Sequence, residues 1–353
     1  MMSPICILGA NSLIGQHLYT QLVGCGAKLN LWTLQDKFQD RLESNQNVVP
    51  QNVSIFSGTS EIASAIKDCD VVYNLHEYTD LSNLPDEKKL YEHNVKFVRD
   101  LMNMCKEEGT KVIIHLSSSF VQCSGKWPNV GNREKDHKDF VFDNPYPKYS
   151  KSKALAEELL KSCPGVKTLA ARVGYIYGEG DENGIICDMI KVQKKLKWIP
   201  IIGDNKGAVQ MAYVGNVSAA LIKCKTTMEE KGEEHETVNI VDDTPINSLY
   251  DGVLKDLMGD TPSHSVPFWL AYPIFFLICW VLQILKIDFP IPSTGHFYML
   301  CRQWTVLSNY RLRLFFDFKP RYSYNEAIKR SKTYYNNIDF DSFNSWSWRT
   351  EPR

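Results

Sequence analysis

The apolar run Ile5–Leu8 stops at Gly9, and the thirty residues from there leave few folds open. Gly9-Ala10-Asn11-Ser12-Leu13-Ile14-Gly15 leads into a helical pattern carrying Leu18, Leu22 and Val23, closed by Gly24 and Gly26. A second strand is predicted at Lys28–Thr33. Strand, glycine turn, helix and strand within about thirty residues make the first half of a dinucleotide-binding unit. Gly9 lets the chain turn tightly and Gly15 permits close helix–strand packing. The helix N-terminus then faces a pyrophosphate.

The alternation continues. Strands are predicted at Val53–Phe56, Asp70–Leu75, Lys111–Ser117, Thr168–Val173 and Thr237–Val241. Helical patterns fall at Glu61–Lys67, Lys88–Glu108 (carrying Asn94), from Tyr149 onward, at Asp188–Lys195 and at Asn216–Lys223. Glu229–Glu236 reads as a solvated charged loop. This rhythm predicts an α/β fold: a Rossmann-type doubly wound parallel sheet with a smaller, interleaved C-terminal substrate lobe. The expected division is a core at 1–180, mixed core and substrate lobe at 181–265, an apolar segment at 266–287, and lobe and tail at 288–353.

Ligands of such a sheet sit at the carboxyl ends of its strands. Ser118 lies just past one of those ends, in Ser117-Ser118-Ser119. In Asn144–Glu157 (NPYPKYSKSKALAE), Tyr149 and Lys153 stand four residues apart at the start of a helix. That spacing puts both on one face. A nearby ammonium favours the ionised phenol and lowers its pKa from about 10. Tyr149 is thereby a candidate general acid/base.

Composition excludes other classes. Of 353 residues 44% are hydrophobic and 23% charged, so the chain buries a core. Lys+Arg (40) balances Asp+Glu (41), which gives no electrostatic case for nucleic acid. The ten cysteines lack metal-ligand or paired spacing, so no metal site is expected and free thiols in a reducing compartment are. The N-terminus reads as a first strand and not as a signal peptide.

Together, Gly9…Gly15, Asp70-Val71-Val72, Asn94, Ser117-Ser118, Tyr149-x-x-Ser152-Lys153-x-x-Ala156-Glu157, Arg172-x-Gly174-x-x-Tyr177-Gly178 and Tyr213-Val214-x-Asn216-Val217 resemble the extended short-chain dehydrogenases/reductases. Asp242-Asp243-Thr244-Pro245, the later apolar segment and Pro320–Ala327 are similar to the 3β-hydroxysteroid dehydrogenase/Δ5-4 isomerase branch. The resemblance implies oxidation of a steroid or sterol 3β-hydroxyl with NAD or NADP. Tyr149 would take the hydroxyl proton, and Lys153 would lower its pKa and hold the nicotinamide ribose. Ser118 would bond the substrate oxygen, and Asn94 would support the site. Gly9, Asn11, Ser12, Leu13, Ile14, Gly15 and Thr33 would join Tyr149 and Lys153 around the cofactor. Asp243 is a candidate for an isomerase step, against a simple turn.

The cofactor half departs from the pattern. Ser12 replaces the middle glycine, Thr33 the ribose-binding acid, Thr59 an aspartate, and Gly215 the aspartate of the Tyr213 motif. Asp36 stands near enough to replace the missing acid. His76 and Glu77 stand where small residues are expected, close to the cofactor. A non-catalytic, cofactor-sensing or scaffolding relative is therefore the rival reading, beside a 4-carboxysterol 3-dehydrogenase.

Phe268–Leu285 is eighteen residues without a charge, with Pro273 and Gln283 inside it and Trp269, Tyr272 and Trp280 suited to an interface. It predicts membrane association; the resemblance implies the endoplasmic reticulum or mitochondrion. A lid or core helix is the alternative. A helix is predicted at Tyr324–Tyr335, and fold-level analogy offers Lys88–Glu108 and Tyr149–Lys161 as a homodimer face.

Overall fold

The computed structural model describes residues 4–34, 52–124, 129–134, 144–204, 207–231, 233–260, 262–289, 291–337 and 346–352. Strands β1 (Ile5–Leu8), β2 (Leu29–Thr33), β3 (Val53–Ser57), β4 (Val71–Asn74), β5 (Val112–Ser118), β6 (Lys167–Val173) and β7 (His235–Ile240) form one sheet. Its order is β7-β6-β5-β4-β1-β2-β3, with every pairing parallel. The order reverses between β1 and β4, where a crevice opens.

Alternation along the strands feeds two cores. Ile7, Leu31, Tyr73, Ile114 and Leu169 face the side covered by α1 (Leu13–Gly24) and α4 (Val214–Lys231). Cys6, Leu8, Trp32, Val72 and Ile113 face α2 (Phe97–Glu107) and α3 (Pro147–Lys161). Helices on both faces explain why these strands read as continuous apolar runs.

The helix predicted over Lys88–Glu108 is continuous, but Glu92–Lys96 within it is π-helical. That segment carries Asn94, and such bulges re-aim a side chain without breaking the helix. Within Glu229–Glu236, Glu229, Glu230, Lys231, Glu233 and Glu234 are exposed as expected, but the stretch is not all loop. Helix α4 runs to Lys231, supported by a Lys225–Glu229 ion pair of 2.9 Å, and β7 begins at His235. Glu236 is buried and paired with Arg311.

The second lobe is made of short pairings threaded between core elements. Ile199–Ile202 pairs with Ser263–Val266, Ala208–Val209 with Trp304–Leu307, and Tyr175–Tyr177 with Met211–Tyr213. Beyond them lie α5 (Phe268–Leu285), α6 (Thr294–Arg302) and α7 (Tyr324–Asn337). Only Cys279 of α5 is buried. Its carbonyl accepts from Asn83 at 2.9 Å, and Gln283 donates to Asn83 Oδ1 at 2.9 Å. The helix is therefore docked on the body of the protein along one narrow line and otherwise exposed.

Strands and helix α3 are locked by a buried cluster. Arg172 of β6 donates to Glu157 of α3 at 2.9 and 2.6 Å, and Ser117 of β5 donates to the same carboxylate at 2.5 Å. Removing one member strands the other charge without solvent. Glu157→Ala and Arg172→Ala are each expected to cost about 3–5 kcal/mol in urea unfolding, whereas an exposed pair such as Lys161–Glu158 contributes at most about 1 kcal/mol.

Candidate active site

Gly9 leaves β1 with φ +78°, and a Cβ there would lie 2.9 Å from the Leu75 carbonyl carbon. A Cβ on Gly15 would come within 2.5 Å of the Gly9 oxygen. Neither position tolerates a side chain. Ser12 has extended backbone (φ −69°, ψ 161°), so the position lost from the glycine pattern makes no conformational demand. Its hydroxyl accepts from the Gly15 amide at 3.1 Å and caps α1. The Asn11 carbonyl accepts from Gln16 at 2.9 Å. With Leu13 and Ile14, Ser12 lines one end of a cleft that runs to Tyr149. This cradle fits the pyrophosphate of a nicotinamide nucleotide, because α1 presents its N-terminus there.

The adenosine end is built differently. Thr33 is fully buried at the end of β2, and Asp36 lies outside the described residues. Beside Thr33, the Trp32 indole donates to the Gly58 carbonyl at 2.8 Å and meets His76 edge-on at 5.5 Å. His76 bonds His93 at 3.1 Å. Aromatic rings thus occupy the ground next to β2.

At the other end α3 brings Tyr149 and Lys153 to one face, both buried. Lys153 Nζ donates to the Leu116 carbonyl at 2.7 Å and to Glu77 Oε2 at 2.9 Å. The Tyr149 hydroxyl donates to the same Glu77 oxygen at 3.3 Å. Ser118 lines the cleft beside them, its Oγ accepting from the Phe120 amide at 3.2 Å. Asn94 donates to Ser152 of α3 at 2.9 Å and exchanges two 2.9 Å bonds with the Tyr78 backbone. It ties the segment after β4 to α3, as a supporting residue would.

One expectation fails. Lys153 does not draw the Tyr149 pKa down. Burial and then the Glu77 carboxylate push the phenol well above its usual 10, and bonds from Ser118 and Thr79 do not reverse it. The Lys153 charge is matched by a nearer carboxylate. Behind Lys153, His115 is held well below its usual range by burial and by that ammonium, and it bonds Asn74 at 3.0 Å. Asp243 stands on the surface, paired with Arg313. Its neighbour Asp242 accepts from the Tyr213 and Thr244 amides, each at 3.0 Å, which makes the Asp-Asp-Thr-Pro stretch a turn.

Sequence reasoning gave the last fifteen residues no role, yet part of them walls the cleft. Arg349–Thr350 pairs antiparallel with Thr79–Asp80, and the Leu81 amide donates to the Trp348 carbonyl at 2.6 Å. Arg349 bridges Asp80 at 3.3 Å and Asp288 at 2.9 Å. Ser347, Thr350 and Glu351 thereby line the same cleft as Tyr149. Only the pairing of distant segments creates this wall, so no local motif announces it.

A parallel sheet of this order, a glycine turn after β1 and a Ser–Tyr–Lys set at the β5 and α3 ends define the extended short-chain dehydrogenase/reductase architecture. The chain belongs to the 3-beta hydroxysteroid dehydrogenase/isomerase family, whose sequence model matches residues 6–264. The mouse (Mus musculus) sterol-4-alpha-carboxylate 3-dehydrogenase, decarboxylating, is 21% identical over 92% of this chain and 89% of its own length. Mouse 3 beta-hydroxysteroid dehydrogenase type 7 is 24% identical over 92% and 93%. Among solved structures, UDP-glucuronic acid 4-epimerase from Bacillus cereus in complex with NAD superposes with a TM-score of 0.71 at 16% identity, covering 95% of this chain and 97% of its own.

The wall carries a pH dependence. Asp188, on helix Ile185–Leu196, accepts from the Ser347 amide at 3.0 Å, and burial pushes its carboxyl from 3.8 up to about 7. The folded chain holds this proton where the unfolded chain has released it. The contribution is therefore full below about pH 4 and lost as pH rises through about 7. Urea unfolding is expected to show stability falling across that window, and Asp188→Asn should flatten the fall.

Proposed function

We propose that this protein is an NAD- or NADP-dependent oxidoreductase acting on the 3β-hydroxyl of a steroid or sterol. The observation that carries the reading is the convergence of Ser118 and Tyr149 on one cleft that begins at the α1 glycine cradle, with Lys153 buried behind it and reaching it through Glu77. Leu81, Phe120, Tyr175 and Ile176 give that cleft apolar walls, which suit a sterol better than a sugar nucleotide. The nucleotide, held by Gly9, Asn11, Ser12, Leu13, Ile14 and Gly15 and by Lys153, supplies the hydride acceptor. Ser118 orients the substrate hydroxyl, and Tyr149 takes its proton. Lys153, 1% exposed, is the positive charge available to stabilise the tyrosinate that accepts this proton.

The mouse sterol-4-alpha-carboxylate relative favours a 4-carboxysterol as one substrate; a 3β-hydroxy-Δ5 steroid with or without isomerisation is the other. The apolar character of α5 supports docking on a bilayer, that of the endoplasmic reticulum or mitochondrion in our reading. By length and composition α5 could cross a membrane. A homodimer through α2 and α3 is the assembly the fold offers.

Two experiments test this reading. Turnover of either sterol class with NAD or NADP is expected to fall at least about 100-fold in Tyr149→Phe, with an unchanged melting temperature; equal turnover in the two proteins would sink the catalytic assignment. In flotation with phospholipid vesicles the wild type is expected to rise with lipid. Replacing Trp269 (75% exposed) and Leu277 (57% exposed) by Asp should leave the protein in the dense fraction.

A further inference from the structure

Glu77 sits on the cleft floor, two residues beyond Leu75, which packs against the glycine turn. Its carboxylate reaches across to α3. Oε2 takes a bond from Lys153 at 2.9 Å and from Tyr149 at 3.3 Å, and Oε1 takes one from Thr79 at 3.5 Å. The arrangement is asymmetric in burial: the Lys153 side chain is 1% exposed and that of Glu77 28%. The ammonium cannot leave, whereas the carboxylate has solvent to swing into.

An ammonium has three donors. One of those on Lys153 is fixed by the Leu116 carbonyl and another by Glu77. The Tyr149 hydroxyl donates its only proton to Glu77 as well. A ribose hydroxyl brought to Lys153 and Tyr149 competes with that carboxylate for both groups. Other charged groups around the cleft are Asp181, Glu182 and Glu351 on the facing walls, with buried His115 behind Lys153. Asp181, Glu182 and Glu351 are acidic and add no competing cation to hold Glu77.

We propose that Glu77 is an internal stand-in for the nicotinamide ribose: it holds Lys153 and Tyr149 in a latent arrangement and must leave them before a nicotinamide nucleotide is bound. The proposal rests on the oxidoreductase reading. Glu77 is a positioning residue, acting through Lys153 and Tyr149. It explains how an intact Ser–Tyr–Lys set coexists with an acidic residue at a position where small side chains are expected. Affinity for the nucleotide is then reduced by the fraction of molecules in which Glu77 is withdrawn.

The test uses the full chain and the variants Glu77→Gln and Glu77→Ala. Gln keeps an oxygen for Lys153 to bond, so a folded protein with the charge removed is available even where Ala is not tolerated. Binding of NADH and NADPH is measured by titration calorimetry. Tyr149 is titrated without nucleotide by NMR of ring-labelled tyrosine, its resonance assigned by its loss in Tyr149→Phe. The expected result is nucleotide binding at least about tenfold tighter than wild type, with Tyr149 titrating at lower pH. Binding by the wild type that is no tighter in the variants overturns the proposal and leaves the oxidoreductase reading standing. Failure of wild type and variants alike to bind either nucleotide overturns both.

Discussion

The approach of α1 to the β1–β4 edge is the constraint on which the structure depends. Hydrogen is the only side chain that Gly15 can carry with the Gly9 oxygen 2.5 Å from its Cβ position, and Gly9 is pinned by Leu75 in the same way. That contact brings the β1 turn and the segment after β4 together at the point where strand order reverses. Everything that defines the cleft hangs from this junction. Residues 75–80 run from it to α3 on one side and to Arg349–Thr350 on the other.

The junction is served by two kinds of polar burial, with different consequences. The Ser117–Glu157–Arg172 cluster is closed: each charge is matched at short range and solvent is excluded. It fixes where β5, β6 and α3 sit. The Lys153–Glu77 pair is open on one side, because Glu77 remains partly exposed. A closed pair gives rigidity, and a half-open one allows exchange of partners. One helical turn away from the structural cluster, α3 carries an interaction that can be broken.

The sheet, the glycine turn and the Tyr149/Lys153 face were legible in the sequence because each rests on a local period: apolar runs, a glycine spacing, an i,i+4 pair. Element limits agree to within a few residues, as with Lys28–Thr33 against Leu29–Thr33. Features that depend on more distant contacts were not legible. The π-helical turn at Asn94 leaves the apolar pattern intact, so it looks like plain helix. Glu236 sits in an acidic run and reads as solvated, yet Arg311, far along the chain, buries it. Glu77 could be seen as an oddity, but its bonds to Lys153 and Tyr149 required the two segments to be folded together.

The tail has a consequence for how the protein comes into being. Arg349 bonds Ser82 across 267 residues of chain, so one wall of the cleft is supplied by residues made long after the strand it completes. During synthesis the Rossmann strands through β6 can pair while that edge is still bare. Residues 79–82 then present unpaired backbone and the Asp80 carboxylate without its arginine. A nascent chain in this state offers a short sheet edge to other proteins. Capture of the tail covers Thr79–Asp80, while residues 291–293 pair with Leu81–Asn83, and the last wall of the cleft is then in place.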